Sequence, residues 1–299
     1  MPRRRRADSH PAVSVEPQND PHAVVSLARA RLAFGERVLW DDLDLVVHPG
    51  EFIAVLGPNG TGKTSLLKVL LGQMQLSSGI VTVAGRPVTT GSERIGYVPQ
   101  HRSMDRGLSL RGSDLVALGY DGHRWGMTGW GRESRRAKRH AVRQALAQVN
   151  GLHLSEVSVG VMSGGELQRV RVAQALATDP VLLLCDEPLL NLDPANARLV
   201  CTLLDRRRRE AGSAVLFVTH EVDPVLPYVD RVLYLVDGRF RIGTVEEVMT
   251  SRTLSELYRS DIEVVKIGGR YIVVGEHSQY HHGHDHSGGH TGEPGGHIP

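Results

Sequence analysis

The sequence predicts an α/β fold with a mostly parallel core sheet, an antiparallel β-subdomain near its N-terminus and an inserted helical subdomain. Three observations carry this. A glycine-rich loop, Gly57 to Thr64, joins the apolar run Phe52–Leu56 to a helical pattern that opens at Ser65. Two more runs, Val181–Cys185 and Ala214–Val218, are continuously apolar, as strands covered on both faces are. Residues 108–157 lack strand signals and place apolar residues at helical spacing.

The 299 residues suffice for a full core, and 40% hydrophobic with 23% charged content is that of a soluble globular chain. No stretch reaches the ~20 apolar residues of a membrane span, so any membrane role is exercised from the surface. A net charge of +2 gives no global attraction to nucleic acid. Two cysteines make no disulfide framework, and a reducing cytosol is the simplest compartment.

Residues 1–22 hold the run Arg3–Arg6 without an apolar segment behind it, so they read as a basic disordered tail and not a secretory signal. The main domain is expected over 23–250. It opens with alternating runs around Val25–Arg29 and Leu43–Val47, antiparallel strands turned at Gly35-Glu36. Phe34, at the end of the first, is open to two roles, core packing or stacking on an adenine ring.

Next comes Gly57-Pro58-Asn59-Gly60-Thr61-Gly62-Lys63-Thr64-Ser65, which fits the P-loop pattern in its required strand–loop–helix setting. Glycines let the loop curl so that backbone N–H groups converge on an anion, and the helix terminus adds positive potential there. Lys63 would reach β- and γ-phosphates, and the Thr64 hydroxyl would coordinate Mg²⁺.

Strands follow at Ile80–Val83 and Val88, and at Arg94–Val98 before Pro99 and Gln100. Gln100 is either a surface loop residue or a ligand for a γ-phosphate or its metal. In the helical subdomain, about 108–157, Trp125 and Trp130 read as a partner surface or a small local core. Ser163-Gly164-Gly165-Glu166 then opens a helix running to Ala177, a second anion-seeking terminus in one chain.

The run 181–185 delivers Asp186 and Glu187 to the carboxyl edge of the sheet, where open α/β sheets bind ligands. Asp186 suits the Mg²⁺ shell and Glu187 suits polarising an attacking water. Ala214–Val218 brings His220 to the same edge, able to donate to a γ-phosphate oxygen. A hairpin is expected at 231–240, within the main domain. Residues 251–276 read as a small extension with a helix and two strands joined at Gly268-Gly269.

The last segment, 277–299, is rich in histidine among Gly, Ser and Asp and cannot build a core. His281, His282, His284 and His286 are candidate Zn²⁺ ligands.

Taken together, Phe34, GPNGTGKT, Gln100, Met162 to Glu166, Leu182–Glu187, Asn191-Leu192-Asp193 and His220 resemble the ATP-binding subunit of ABC transporters, over roughly residues 24–245. The resemblance implies a P-loop NTPase of the ABC ATPase type, hydrolysing ATP with Mg²⁺. It implies adenine stacking by Phe34, a phosphate cradle at Gly57–Ser65, and Mg²⁺ and water attended by Gln100 and Asp186. Glu187 would be the catalytic base and His220 would hold the γ-phosphate. Ser163, Gly164, Gly165 and Glu166 would meet the nucleotide of an opposite copy, with Asp193 at the seam, in a head-to-tail dimer.

The implied partners are membrane-spanning permease subunits and, indirectly, an extracytoplasmic metal-binding protein. The implied place is the cytoplasmic face of the membrane. Tyr97-Val98-Pro99-Gln100, Arg102-Ser103-Met104-Asp105 and Leu118-Gly119-Tyr120 look like the zinc and manganese uptake branch. The chain departs from that branch at Arg106-Gly107-Leu108-Ser109, and its signature opens with Met162 and closes with Glu166. Two alternatives stay open: another cargo with a metal-buffering tail, or a non-transport ATPase acting on nucleic acid. The latter kind carries two nucleotide-binding units or long coiled coils, which this chain lacks.

Overall fold

The computed structural model describes residues 20–100, 109–122 and 132–275. The basic run at 3–6, the segment 102–108, Trp125, Trp130 and the histidines from 277 onward lie outside the described residues.

The N-terminal strands form as their alternation requires. β1 (Val25–Phe34) pairs antiparallel with β2 (Arg37–Val47) across a two-residue turn that sets Phe34 opposite Arg37. β3 (Phe52–Leu56) leads into the P-loop and α1 (Lys63–Leu70). β4 (Ser78–Val83) pairs with the other edge of β1, and β5 (Arg86–Pro87) with β4, giving a four-stranded sheet β2-β1-β4-β5. β5 is shorter than the sequence suggests, because Pro87 has no N–H to extend the ladder.

β6 (Ile95–Val98) precedes α2 (Gly112–Asp121), α3 (Arg132–Gln148) and α4 (Gly164–Leu176). Then come β7 (Leu182–Asp186), α5 (Pro194–Ala211) and β8 (Ala214–Val218). β9 (Arg231–Val236), β10 (Arg239–Gly243), α6 (Val245–Val248) and α7 (Ser251–Tyr258) follow. A final hairpin, β11 (Ile262–Ile267) and β12 (Arg270–Gly275), pairs only with itself and leans on the body, where the Tyr271 N–H donates to Asp223 Oδ1 at 3.2 Å.

The six-stranded sheet has the order β10-β9-β3-β8-β7-β6, parallel throughout except for β10. Alternate residues of its strands feed two cores. Phe52, Ala54, Leu183, Cys185, Val215 and Phe217 pack toward α4, α5 and the helical subdomain. Ile53, Val55, Leu182, Leu184 and Leu216 pack toward α1 and the antiparallel sheet. Both faces are covered, which is why β3, β7 and β8 are buried at every position.

Cys185 and Cys201, on α5, are both fully buried free thiols. Helix α5 is an addition to the sequence reading. Asp193 caps it, Pro194 occupies its first turn and Gly212 ends it in the left-handed region, φ 70°.

Candidate functional site

β3 stops at Leu56 because Gly57 turns sharply, φ 134°, where an added Cβ would lie 2.0 Å from the Leu235 carbonyl oxygen. Gly60 and Gly62 also have positive φ, and Gly62 lies on the buried Trp40, whose Nε1 would be 3.0 Å from a Cβ there. Inside the loop the Lys63 ammonium donates to the carbonyls of Gly57, 2.6 Å, and Pro58, 2.8 Å. Burial holds its pKa below the usual lysine value, opposed by Glu187 and Asp186. The Thr61 hydroxyl donates to the Pro58 carbonyl at 3.0 Å.

Facing the loop is the carboxyl end of the sheet. The Thr64 hydroxyl donates to Asp186 Oδ1 at 3.1 Å, and the Tyr97 hydroxyl lies 3.4 Å from Oδ2. Burial raises the Asp186 pKa above the ordinary carboxylate range, and the Thr64 hydrogen bond works against it. Glu187 leaves the strand with φ 45°, a conformation unfavourable for a side chain of this kind, its own N–H held by the Val218 carbonyl at 3.0 Å. Its carboxylate accepts from Gln100 Nε2 at 3.0 Å, and His220 Nδ1 is 3.8 Å away. The second contact is too long for a hydrogen bond and is an ion pair only when the imidazole is protonated.

A cleft of about 380 Å³ is lined by Phe34, Arg37, Leu39, Asn59, Gly60, Gly62, Lys63, Thr64, Ser65 and Glu187. Phe34 is 52% exposed there, so it belongs to the cleft and not the core. Arg37, Leu39 and Tyr97 are the residues sequence reasoning missed. The two-residue turn after Phe34 signals that Arg37 sits across from it, and the parallel register of Tyr97 with Leu184 places its ring beside Asp186.

The fit to a magnesium nucleotide is chemical. A lysine, glycine-freed backbone and an exposed aromatic ring suit phosphates and a base, while a hydroxyl beside a buried carboxylate offers the hard oxygens Mg²⁺ takes.

Ser163 to Glu166 stand apart, and neither they nor Asp193 line that cleft. Ser163 caps α4 in a reciprocal box: its N–H and hydroxyl both donate to Glu166 Oε2 at 2.8 Å, and its Oγ accepts from the Glu166 N–H at 3.3 Å. These bonds hold the Glu166 pKa below its ordinary value. Asp193 Oδ1 accepts from the N–H groups of Ala195 and Asn196, each at 3.0 Å. Gly165 is pressed against Asn196, where an added Cβ would fall 2.3 Å from its side chain. The two segments therefore form one surface, distinct from the P-loop cleft.

The sequence profile of the ABC transporter family matches residues 40–190. The manganese transport system ATP-binding protein MntB of Bacillus subtilis is 31% identical over 242 residues, 81% of this chain and 95% of its own length. The zinc transport system ATP-binding protein TroB of Treponema pallidum is 33% identical, covering 76% of this chain and 84% of its own length. The zinc import ATP-binding protein ZnuC of Yersinia pestis is 32% identical over 88% of this chain and 92% of its own length. Among solved structures, an ABC transporter in an inward-facing conformation superposes with a TM-score of 0.69 at 26% identity, over 84% of this chain and 96% of that one. CbiO1 of Clostridium perfringens, part of the transporter complex CbiONQ, gives a TM-score of 0.65 at 25% identity, over 79% of this chain and 94% of that one.

Proposed function

This chain belongs to the ABC transporter family, and on that premise we propose that it is the ATP-hydrolysing subunit of an importer for a divalent metal, zinc or manganese. The observation that carries the hydrolytic part is the carboxylate of Glu187, bracketed by Gln100 and His220 at a sheet edge that also lines the P-loop cleft. The metal cargo rests on relatives named for manganese and zinc.

In this reading Phe34 stacks the base, and the N–H groups of Gly57–Ser65 with the Lys63 ammonium hold the phosphates. Thr64, Asp186 and Gln100 supply oxygen donors to Mg²⁺, which when bound neutralises phosphate charge. Glu187 takes a proton from the attacking water, Gln100 keeps that carboxylate aimed, and His220 donates to the γ-phosphate. Ser163, Gly164, Gly165, Glu166 and Asp193 form the surface that meets a second copy's nucleotide.

Among the described residues no helix is long and apolar enough to cross a membrane. The family works with membrane permease subunits, and we place this chain against one at the cytoplasmic face, served indirectly by an extracytoplasmic metal-binding protein. We assign no specific nucleic-acid partner, and we assign Zn²⁺ to His281, His282, His284 and His286. Deleting 277–299 should abolish zinc uptake by the purified chain in calorimetry; unchanged binding removes that assignment.

Glu187→Gln should keep MgATP affinity and lower phosphate release by about 10²- to 10⁴-fold, the usual range for a lost general base. Undiminished turnover would remove Glu187 from that role. For cargo, a strain lacking this chain should grow poorly when zinc or manganese is limiting. The chain should rescue it, and its Lys63→Ala form should not. Normal growth and metal content would move the cargo elsewhere.

A further inference from the structure

Arg37 reaches from the second strand of the N-terminal hairpin across to the phosphate loop, where its Nη2 donates to the carbonyl oxygen of Gly60 at 2.8 Å. The contact ties β2 to the loop, and it is made by a residue outside the loop motif. We propose that Arg37 is a positioning residue for the phosphate cradle, acting through the Gly60–Thr61 peptide. The inference rests on the reading of the cleft as the MgATP site.

A trans peptide is planar, so the C=O of Gly60 and the N–H of Thr61 belong to one rigid plate and point in opposite directions. Holding the oxygen outward on Arg37 turns that N–H the other way, into the loop. Gly60 has φ 81°, and glycine alone leaves such a plate free to flip, so the loop's own sequence does not fix it. The Thr61 N–H donates to nothing among the described residues, and its side chain is fastened separately, the hydroxyl on the Pro58 carbonyl and only 5% of the residue exposed. A backbone donor left without a protein partner beside a lysine suits an anion. A side chain at position 60 would press on the guanidinium, its Cβ 3.1 Å from Nη2, so the anchor and the glycine are fitted to each other. Phe34 stands opposite Arg37 in the hairpin. The same hairpin thus presents a base platform and a clamp on the loop.

The test compares the full-length protein with Arg37→Met, which keeps length and loses the donor, and Arg37→Lys, which keeps a donor of similar reach. One exposed hydrogen bond corresponds to a change of roughly three- to tenfold. Arg37→Met should raise KM for MgATP by that factor with a smaller fall in kcat, weaken magnesium tripolyphosphate equally, and leave adenosine binding unchanged. Arg37→Lys should recover most of the loss at low and high salt alike, since the role is to hold a carbonyl and not to attract phosphate. Wild-type KM in Arg37→Met overturns the proposal, as does equal loss for adenosine, which would assign Arg37 to packing the base. Lys63→Ala serves as reference. If it loses MgATP binding while Arg37→Met does not, only this inference fails; if neither loses it, the reading of the cleft fails as well.

Discussion

At Glu166 the local chemistry yields a pH dependence with a definite sign. Its carboxylate is held by the N–H and hydroxyl of Ser163, so its folded pKa lies below the ordinary 4.5. The folded form prefers the charged state, and the stabilisation is complete above the unfolded value and fades as pH falls through the folded one. Stability of the wild type relative to Glu166→Gln should therefore be constant near neutrality and shrink below about pH 4.5. Denaturant midpoints across that interval measure it; a gap that widens in acid would contradict the assigned bonds. Asp186 behaves oppositely. Burial raises its pKa, so the carboxylate is held at a cost that a bound cation offsets. That poise, with the left-handed backbone of Glu187, shows the site residues kept in states the fold alone does not favour.

Among the elements, α4 is the joint of the molecule. Its N-terminus carries Ser163, while its far end is gripped from two sides at positions where only glycine fits. An added Cβ at Gly96 of β6 would lie 2.3 Å from the Ala175 oxygen, and one at Gly119 of α2 would lie 2.1 Å from the Gln174 oxygen. Sheet and helical subdomain thus meet on successive carbonyls of one helix. Gly119→Ala should destabilise the chain by about 1–3 kcal/mol through overpacking, read as a lower denaturation midpoint. An unchanged midpoint would mean that α2 is free to shift from α4.

The sequence reads well where structure is local or doubly covered: the P-loop within its strand and helix, and β3, β7 and β8 as unbroken apolar runs. It reads poorly where a role depends on distant pairing. Tyr97 reaches Asp186 across 89 positions, and Arg37 reaches Gly60 only because the hairpin folds over the loop. α5 was signalled by Asp193, Pro194 and Gly212, but its arginine-rich second half masks the apolar stripe of Val200, Leu203 and Leu204.

At the scale of the whole molecule, the surface at Ser163–Glu166 and Asp193 stands apart from the P-loop cleft. In the head-to-tail pair proposed above, both would meet nucleotide. Glu187→Gln with MgATP should accordingly run at twice the monomer mass in light scattering, and Lys63→Ala should not; a monomeric Glu187→Gln under saturating MgATP would argue against the pairing. The molecule is also well suited to following such pairing. Its two thiols, Cys185 and Cys201, are sealed in the core, and burial lifts both above the ordinary thiol pKa, Cys201 to about 12. Neither is a nucleophile while the chain is folded. A cysteine introduced on the surface would be the sole target for a maleimide dye, so fluorophores can be attached without stripping the native residues. Slow modification of the native pair, in turn, would time the opening of the core.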